Sequence, residues 1–330
     1  RNCFGRWKNG LRGWWMESRK RRACLLCFKP TKPIRKGNSG SMQTNRAEQV
    51  NLFPIDRVRQ TDIPDVVRLS ARIGWDYSEE EMEVVLRSGH FFAHRGPGGK
   101  VVSTAAIFPY STLASLGVVM VDPDYRRRGL ATRLVDACIS AVPDRPILLV
   151  ATEEGKPLYE KLGFKTVGTL DKLVAKRYTG GLQRMTHQQT VHPASEKDIE
   201  EIIDLAEKAF GARRERLLRL RIKQAAFGAV LRNRTGKAVG FALGVPGPEL
   251  MVIGPVVAPD EEAAALLIDR IAGWAPGPMR IDIPSQHRRL ADFLTRCGFE
   301  TVRKPPVMMR NGSALPPREH LFAVASQAFG

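Results

Sequence analysis

Three consecutive arginines precede a glycine in the stretch DPDYRRRGLATRL, which occupies residues 122–134. The arginines are Arg126, Arg127 and Arg128, and they are followed by Gly129, Leu130 and Ala131. A run of like charges ordinarily forms a solvated face, yet this one leads straight into an apolar helical pattern. A glycine at a helix start lets a bulky anion approach free backbone N–H groups, and arginine adds charge-assisted hydrogen bonds. The spacing therefore predicts a pyrophosphate cradle, the name used below for residues 126–131.

The cradle requires a strand before it and a helix after it. The run ASLGVVMV before it is typical of a strand, and the apolar residues from Leu130 onward recur with a helical period. The surrounding elements are predicted as follows: a strand at 53–59, a helix from a cap at Thr61 to about Ile73, a helix from a capping box of Ser78 and Glu81 to about Arg87, strands within 90–94, 101–108 and 114–121, a strand at 147–152, a short helix at 156–162, and two strands near 164–168 and 172–177.

The chain repeats itself at an offset of about 135 residues. The segment DIPDVVRLSARI at Asp62 is similar to DIEEIIDLAEKA at Asp198, and GFKTV at Gly163 is similar to GFETV at Gly298. Between them, VDPD is matched by VAPD in the same register. Three matches in one order indicate two tandem α/β units, each a mixed twisted sheet flanked by helices.

The pattern Arg126-x-x-Gly129-x-Ala131 resembles the Q/R-x-x-G-x-G/A signature of the GNAT (Gcn5-related) N-acetyltransferases, and PLYEKLGF at 157–164 is similar to a later helix of that family. The resemblance covers residues 53–177 in full order and 188–330 as a weaker second copy. It identifies the chain as a tandem-GNAT protein with a divergent C-terminal acetyltransferase-like domain. The implied domains are a basic tail at 1–45, an N-terminal GNAT domain at 52–178, a linker at 179–188 and a degenerate GNAT-like domain at 189–330.

The resemblance implies an N-acetyltransferase that uses acetyl-CoA as co-substrate and needs no metal. An amine of a small molecule or peptide would attack the acetyl carbon directly, with the chemistry in the N-terminal domain. The family pattern places the cradle on the diphosphate and the main chain of Val119, Met120 and Val121 on the pantetheine arm. It also implies that Tyr159 acts as the general acid that protonates the departing thiolate.

Two questions stay open at the level of sequence. The general base could be Glu153 or Glu154 after the fifth strand, Asp122, or a chain of water molecules, and the sequence does not choose among them. The alternative to an enzyme is a non-catalytic module that binds CoA or a partner on a relic GNAT fold. A third class, an acyl or aminoacyl transferase acting on tRNA, would draw on the basic charge.

The second copy departs from the pattern at each functional position. In the repeat register, Arg126 falls on Glu262, Gly129 on Ala265, Ala131 on Leu267 and Tyr159 on Leu294. A carboxylate near the start of a helix repels phosphate, and bulk replaces the open glycine. We therefore expect acetyl-CoA to bind the first domain alone.

Charge is concentrated near the beginning of the chain. The net charge is +18, yet residues 1–41 carry 12 basic residues and one acid, a net +11, which leaves +7 for the rest. We expect this segment to be a disordered tail or sequence upstream of Met42, and we consider nucleic acid a poor candidate partner.

Cys24, Cys27 and Cys3 do not complete a zinc ligand set. With no apolar stretch of membrane-spanning length and no secretion signal, the sequence predicts a cytoplasmic protein whose oligomeric state is undetermined.

Overall fold

The computed structural model describes residues 53–180 and 189–330. The predicted tail at 1–45 and most of the predicted linker lie outside these described residues. The first half contains β1 (Ile55–Arg57), α1 (Ile63–Arg72), α2 (Glu79–Ser88), β2 (His90–Arg95), β3 (Val101–Pro109), β4 (Ala114–Val121), α3 (Leu130–Ser140), β5 (Ile147–Val150), α4 (Lys156–Lys161) and β6 (Lys165–Ala175). None of the helices in the described ranges is long and apolar enough to cross a membrane.

The second half repeats this order of elements. It contains β7 (Gln189–Pro193), α5 (Ile199–Phe210), α6 (Glu215–Gln224), β8 (Phe227–Asn233), β9 (Ala238–Pro246), β10 (Met251–Val257), α7 (Glu261–Trp274), β11 (Met279–Pro284), α8 (Arg288–Arg296), β12 (Glu300–Arg303), β13 (Pro306–Arg310) and β14 (Leu321–Ala323). The repeat extends to side-chain contacts. Asp62 caps the turn before α1 and binds Arg95, and Asp198 caps the turn before α5 and binds Arg232. The predicted α/β fold with two tandem units is confirmed.

The two halves share one sheet by exchanging strands. Its order is β1-β2-β3-β4-β5-β13-β6-β11-β10-β9-β8-β7, so β13 of the second half lies between β5 and β6 of the first. Strand β6 pairs with β13 through residues 165–169 and with β11 through residues 170–175. The prediction of two strands near 164–168 and 172–177 was therefore wrong. A single strand crosses the junction, because each end of it finds a partner in the second half.

Two predicted helix starts also differ from the structure. Helix α1 begins at Ile63 after a short 3-10 turn that contains Thr61, and the Asp62 carboxylate closes this turn by accepting from the Arg59 N–H at 2.8 Å. Ser78 does cap α2, since its hydroxyl accepts from the Glu81 N–H at 3.1 Å. The carboxylate of Glu81 does not turn back to complete a capping box. It binds the buried guanidinium of Arg221 on α6 instead, which ties the two halves together.

The last described segment, residues 324–330, packs on the first half. The hydroxyl of Tyr110 donates to the Phe329 carbonyl at 2.9 Å, and the Ser115 hydroxyl donates to the Ala328 carbonyl at 3.3 Å. A Cβ on Gly117 would lie 2.5 Å from that same Ala328 oxygen, so only glycine fits there. The second half therefore covers part of β4 and leaves the rest of that strand for the site.

Candidate functional site

The cradle lies between the end of β4 and the start of α3, as the sequence predicts. Gly129 has φ 76°, a left-handed conformation that favours glycine, and it immediately precedes the first residue of α3. A Cβ built on Gly129 meets no atom within 4 Å, so the space in front of the helix start is open. Arg127 also has positive φ, at 62°. The turn thus leaves the unpaired N–H groups of the first helical turn facing open space, an arrangement in which a phosphate group can bind.

The three arginines form an exposed rim around this opening. The guanidinium of Arg128 lies over the Tyr125 ring, 5.2 Å from its centroid, and donates to the Asp124 carbonyl at 3.3 Å. Arg126 makes only a long contact, 3.5 Å, to the Val121 carbonyl. Their guanidinium groups therefore keep donors for an anionic ligand. A diphosphate fits the chemistry of this donor set.

Two carboxylates hold the turn in place on the other side. Asp122 accepts from Arg72 Nη1 at 2.8 Å and from the Asp124 N–H at 3.0 Å. Arg72 also reaches Asp124 at 3.0 Å. Asp122 is buried and fully engaged in these contacts, which gives it a structural role in fixing the cradle.

Strands β4 and β5 diverge beside the cradle. Their parallel pairing includes only Ala114–Leu116 of β4, and a bulge follows at Val118, where φ is 55°. The Thr104 hydroxyl donates to the Val118 carbonyl at 2.8 Å and stabilises this conformation. Beyond the bulge, residues 119–121 face β5 without pairing to it. Unpaired main-chain groups along this gap, called here the splay, can hydrogen-bond to an extended ligand and can polarise a carbonyl oxygen.

Tyr159 lies on α4 within the apolar cluster beneath α3. It is 8% exposed, and its ring meets Phe164 edge-to-face at 5.9 Å between centroids. Burial, followed by the nearby Cys138 thiol, raises the pKa of Tyr159 above its ordinary value. The hydroxyl is therefore protonated at neutral pH, as a general acid requires, and its catalytic role stays a prediction.

The other candidates for a base differ in their surroundings. Glu154 is exposed, and a hydrogen bond from its own backbone N–H and a second from Thr152 lower the pKa of its carboxyl. A carboxylate stabilised in this way is a weak base. Glu153 is exposed in the same loop and makes no contact that singles it out. The structure adds no reason to choose a base.

The second half closes the corresponding helix start. Strand β10 ends at Val257 in register with Val121, yet α7 already begins at Glu261, so the long turn of the cradle is missing. Asp260 caps α7 by accepting from the Ala263 N–H at 2.8 Å. A cavity of about 780 Å³ lies beside this helix start, and its lining includes Asp260, Glu261, Glu262 and Glu319 as well as Arg289 and Arg296. Carboxylates occupy the place where the first half presents N–H groups and arginines.

A charged cluster where the halves meet was not predicted. Lys172 on β6 lies opposite Asp282 on β11, and Arg280 lies on the same face. Charged residues at alternate positions of otherwise apolar strands were the feature of the sequence that could have indicated this cluster. The described residues contain no group of three or more side chains suited to a metal ion, and the cysteines at 3, 24 and 27 lie outside them.

A bulged fourth strand that splays from the fifth, followed by an arginine-glycine turn at a helix start, defines an acetyltransferase fold. Models of the family described as "Acetyltransferase (GNAT) domain" match residues 87–166 and 202–323. A curated relative, the uncharacterized N-acetyltransferase YitH of Bacillus subtilis (strain 168), is 35% identical over 276 residues, which are 83% of this chain and 97% of that protein. The chain belongs to the GNAT acetyltransferases and carries two GNAT domains in tandem.

Solved structures share the fold. A protein from Pyrococcus horikoshii, described provisionally as an acetyltransferase, has a TM-score of 0.71 at 18% identity and covers 90% of this chain and 99% of its own. A tandem GNAT protein from the clavulanic acid biosynthesis pathway has a TM-score of 0.60 at 13% identity. The match covers 79% of this chain and 99% of that protein. At these identities the similarity shows the fold alone.

Proposed function

We propose that the protein transfers the acetyl group of acetyl-CoA to an amine acceptor, a small molecule or a peptide, and that the N-terminal domain performs the reaction. The observation that carries the proposal is the open left-handed turn at Gly129 beside the splay of β4 and β5. The turn offers N–H groups and arginines to a diphosphate, and the splay offers main-chain groups to the rest of an extended thioester. In the second domain the turn is missing, and β10, which also pairs with the next parallel strand over only three residues, is covered by β14 beyond its bulge.

Residues of the first domain have distinct tasks in this proposal. The cradle holds the diphosphate, and the main chain of residues 119–121 holds the pantetheine arm and donates an N–H to the thioester carbonyl oxygen. The amine nitrogen forms the new bond to the acetyl carbon and loses a proton to solvent or to a base not yet assigned. The C–S bond breaks, and Tyr159 donates its proton to the sulfur.

One observation keeps a binding module as the second candidate. Tyr159 packs among apolar side chains, and its hydroxyl has no hydrogen-bond partner within the described ranges. A tyrosine buried for packing alone would leave a CoA site without an acid. In that case acetyl-CoA would bind in the first domain without turnover.

The test is an acceptor panel scored for release of free CoA thiol, run on the full chain. The panel contains amino acids, diamines, amino sugars and peptides with a free N-terminus. The proposal expects at least one class to release CoA at a rate that depends on acceptor concentration. Binding of acetyl-CoA with no release above the acceptor-free rate, across all classes, would favour the binding module.

A further inference from the structure

Three charged side chains share one face of the sheet where the two domains meet. Lys172 of β6 lies directly opposite Asp282 of β11, and Arg280 precedes Asp282 by two residues. The Arg280 guanidinium approaches Asp282 Oδ2 at 2.8 Å, and Gln327 Nε2 donates to Asp282 Oδ1 at 2.8 Å. Asp282 is only 1% exposed. Its buried charge is therefore compensated by Arg280, and Arg280 is held in a fixed position.

The cluster has more positive charge than its buried carboxylate neutralises. Lys172 is half-buried, and it makes no ion pair or hydrogen bond with another residue of the described ranges. Burial, followed by the charge of Arg280, lowers the pKa of Lys172. The Nε of Arg280 is buried and also has no partner. Of the nearby acids, Asp76 is exposed and Glu81 is paired with Arg221. The Lys172 ammonium and the Nε–H of Arg280 are therefore hydrogen-bond donors without an acceptor in the described ranges.

The charged cluster lies on the same face of the sheet as apolar side chains of β4 beside the splay. Leu170, two residues before Lys172 on β6, packs in the same apolar cluster as Val118 and Met120 of β4. Alternate residues of a strand share a face, so Lys172 emerges on that face as well. On the side of β6 that faces β5, Arg303 of β12 lies opposite Lys172, and β12 leads directly into β13, which pairs with β5. Two strand spacings amount to about 10 Å, a distance that a short extended molecule can bridge.

The connection between α1 and α2 approaches both the cradle and the charged cluster. At its start, Arg72 binds Asp122 beside the cradle. Near its end, Tyr77 lies within electrostatic reach of Arg280, and burial raises the pKa of Tyr77. Trp75 meets Tyr77 edge-to-face at 5.8 Å, and both rings pack on the apolar cluster. The connection therefore links the neighbourhood of the cradle to that of the charged cluster.

We propose that Lys172 and Arg280 bind a carboxylate of the acceptor, whose amine extends from there to the splay. The second domain would then complete the acceptor site through Arg280, and Asp282 and Gln327 would act as positioning residues. The acceptor class is an amine separated from a carboxylate by several bonds, as in an ω-amino acid or free lysine. This inference rests on the proposed function for the identity of the ligand as an acceptor.

The test compares two probes that differ in the carboxylate, 6-aminohexanoate and hexylamine. For the parent protein, kcat/KM should favour 6-aminohexanoate about ten- to hundredfold, the value of a charge-assisted hydrogen bond or two. Lys172→Met keeps the aliphatic stem and should remove most of this preference by raising KM for 6-aminohexanoate, with the hexylamine kinetics unchanged. Lys172→Arg should restore the preference. Lys165→Met, which removes an exposed lysine at the far end of β6, is the matched control and should retain it.

Calorimetric titration of both probes, without acetyl-CoA, separates this inference from the proposed function. If no acetyl transfer is detected but 6-aminohexanoate binds more tightly than hexylamine in a Lys172-dependent way, the carboxylate site stands and the proposed activity fails. If transfer proceeds with equal kcat/KM for both probes, or Lys172→Met weakens both equally, the carboxylate site is wrong. Absence of any Lys172-dependent difference in both binding and transfer also overturns it.

Discussion

The hydroxyl of Thr104 on β3 donates to the carbonyl oxygen of Val118 on β4 across 2.8 Å, at the residue where β4 bulges away from β5. Both residues are buried. The bond gives the displaced carbonyl a partner that the regular ladder would otherwise provide. A side chain of the neighbouring strand therefore maintains the gap that we assign to the thioester.

Thr104→Val should remove this bond with little change in shape. We expect the free energy of unfolding to fall by about 1–3 kcal/mol, because a buried carbonyl loses its donor. Turnover should fall further than stability accounts for, since the gap loses its support. Thermal unfolding and the acceptor-dependent rate measure the two effects. Thr112→Val removes a similar but exposed bond to the Gly211 carbonyl and should leave the rate unchanged. Equal rates in both variants would contradict the role of the bulge.

Tyr159→Phe should lower turnover by about 10²–10⁴-fold while acetyl-CoA affinity stays near that of the parent protein. The ring and its packing on Phe164 are kept, and only the proton donor is lost. The measurements are kcat with the best acceptor and affinity by calorimetry. Tyr178→Phe, which removes a partly buried hydroxyl that donates to Asp269 of the second domain, is the control. A kcat within about threefold of the parent value would show that Tyr159 is not the general acid.

Arg221→Met should destabilise the whole chain, because it leaves Glu81 partly buried without its cation. The expected loss is about 3–5 kcal/mol, the usual cost of removing one partner of a buried ion pair. Since Arg221 and Glu81 belong to different halves, both halves should lose stability in the variant. Arg219 lies on the same helix as Arg221, is exposed, and pairs with Glu200 and Glu215. Arg219→Met should therefore cost about 1 kcal/mol or less. Similar melting temperatures for the two variants would argue against this role of the buried pair.

His94 should make stability depend on pH. It is fully buried, its Nδ1 bonds to the Ser103 hydroxyl at 2.8 Å, and its Nε2 has no partner. Burial, followed by the charge of Arg133, lowers the pKa of His94 to about 4. The unfolded chain binds this proton near pH 6.5 and the folded chain only near 4, so stability is lost as pH falls through that window. The loss approaches about 1.4 kcal/mol per pH unit.

His94→Gln should flatten the stability profile between pH 6.5 and 4 relative to the parent protein. Denaturant unfolding at a series of pH values gives both slopes. His90 and His287, whose pKa values burial also lowers, are present in both proteins and cancel in the difference. Parallel profiles would mean that His94 titrates normally in the fold.

The sequence predicted the local features more completely than the long-range ones. The cradle, the strand before it and the helix after it follow from residues close together in the chain, and so does the repeat. The exchange of strands around β6 could not be predicted in this way. Its partners are β11 and β13, more than a hundred residues away, and periodicity does not specify which strand pairs with which.

The charged cluster could not be predicted from the sequence for a related reason. Lys172 and Arg280 belong to different repeats, and only the continuous sheet brings them to one face. Charged residues within otherwise apolar strands marked both positions in the sequence. Without the pairing register, each would have been interpreted as an isolated edge residue.

The central claim is that acetyl-CoA binds at Gly129 in the first domain, and calorimetric titration of acetyl-CoA tests it most directly. We predict one site per chain in the parent protein. Gly129→Ala should weaken binding by about tenfold or more, because its Cβ enters the open space at the helix start and the left-handed turn becomes strained. Gly236→Ala is a matched control, since Gly236 has φ 80° and equally open surroundings in the turn between β8 and β9. Two sites in the parent protein, or a Gly129→Ala affinity equal to that of Gly236→Ala, would contradict the account.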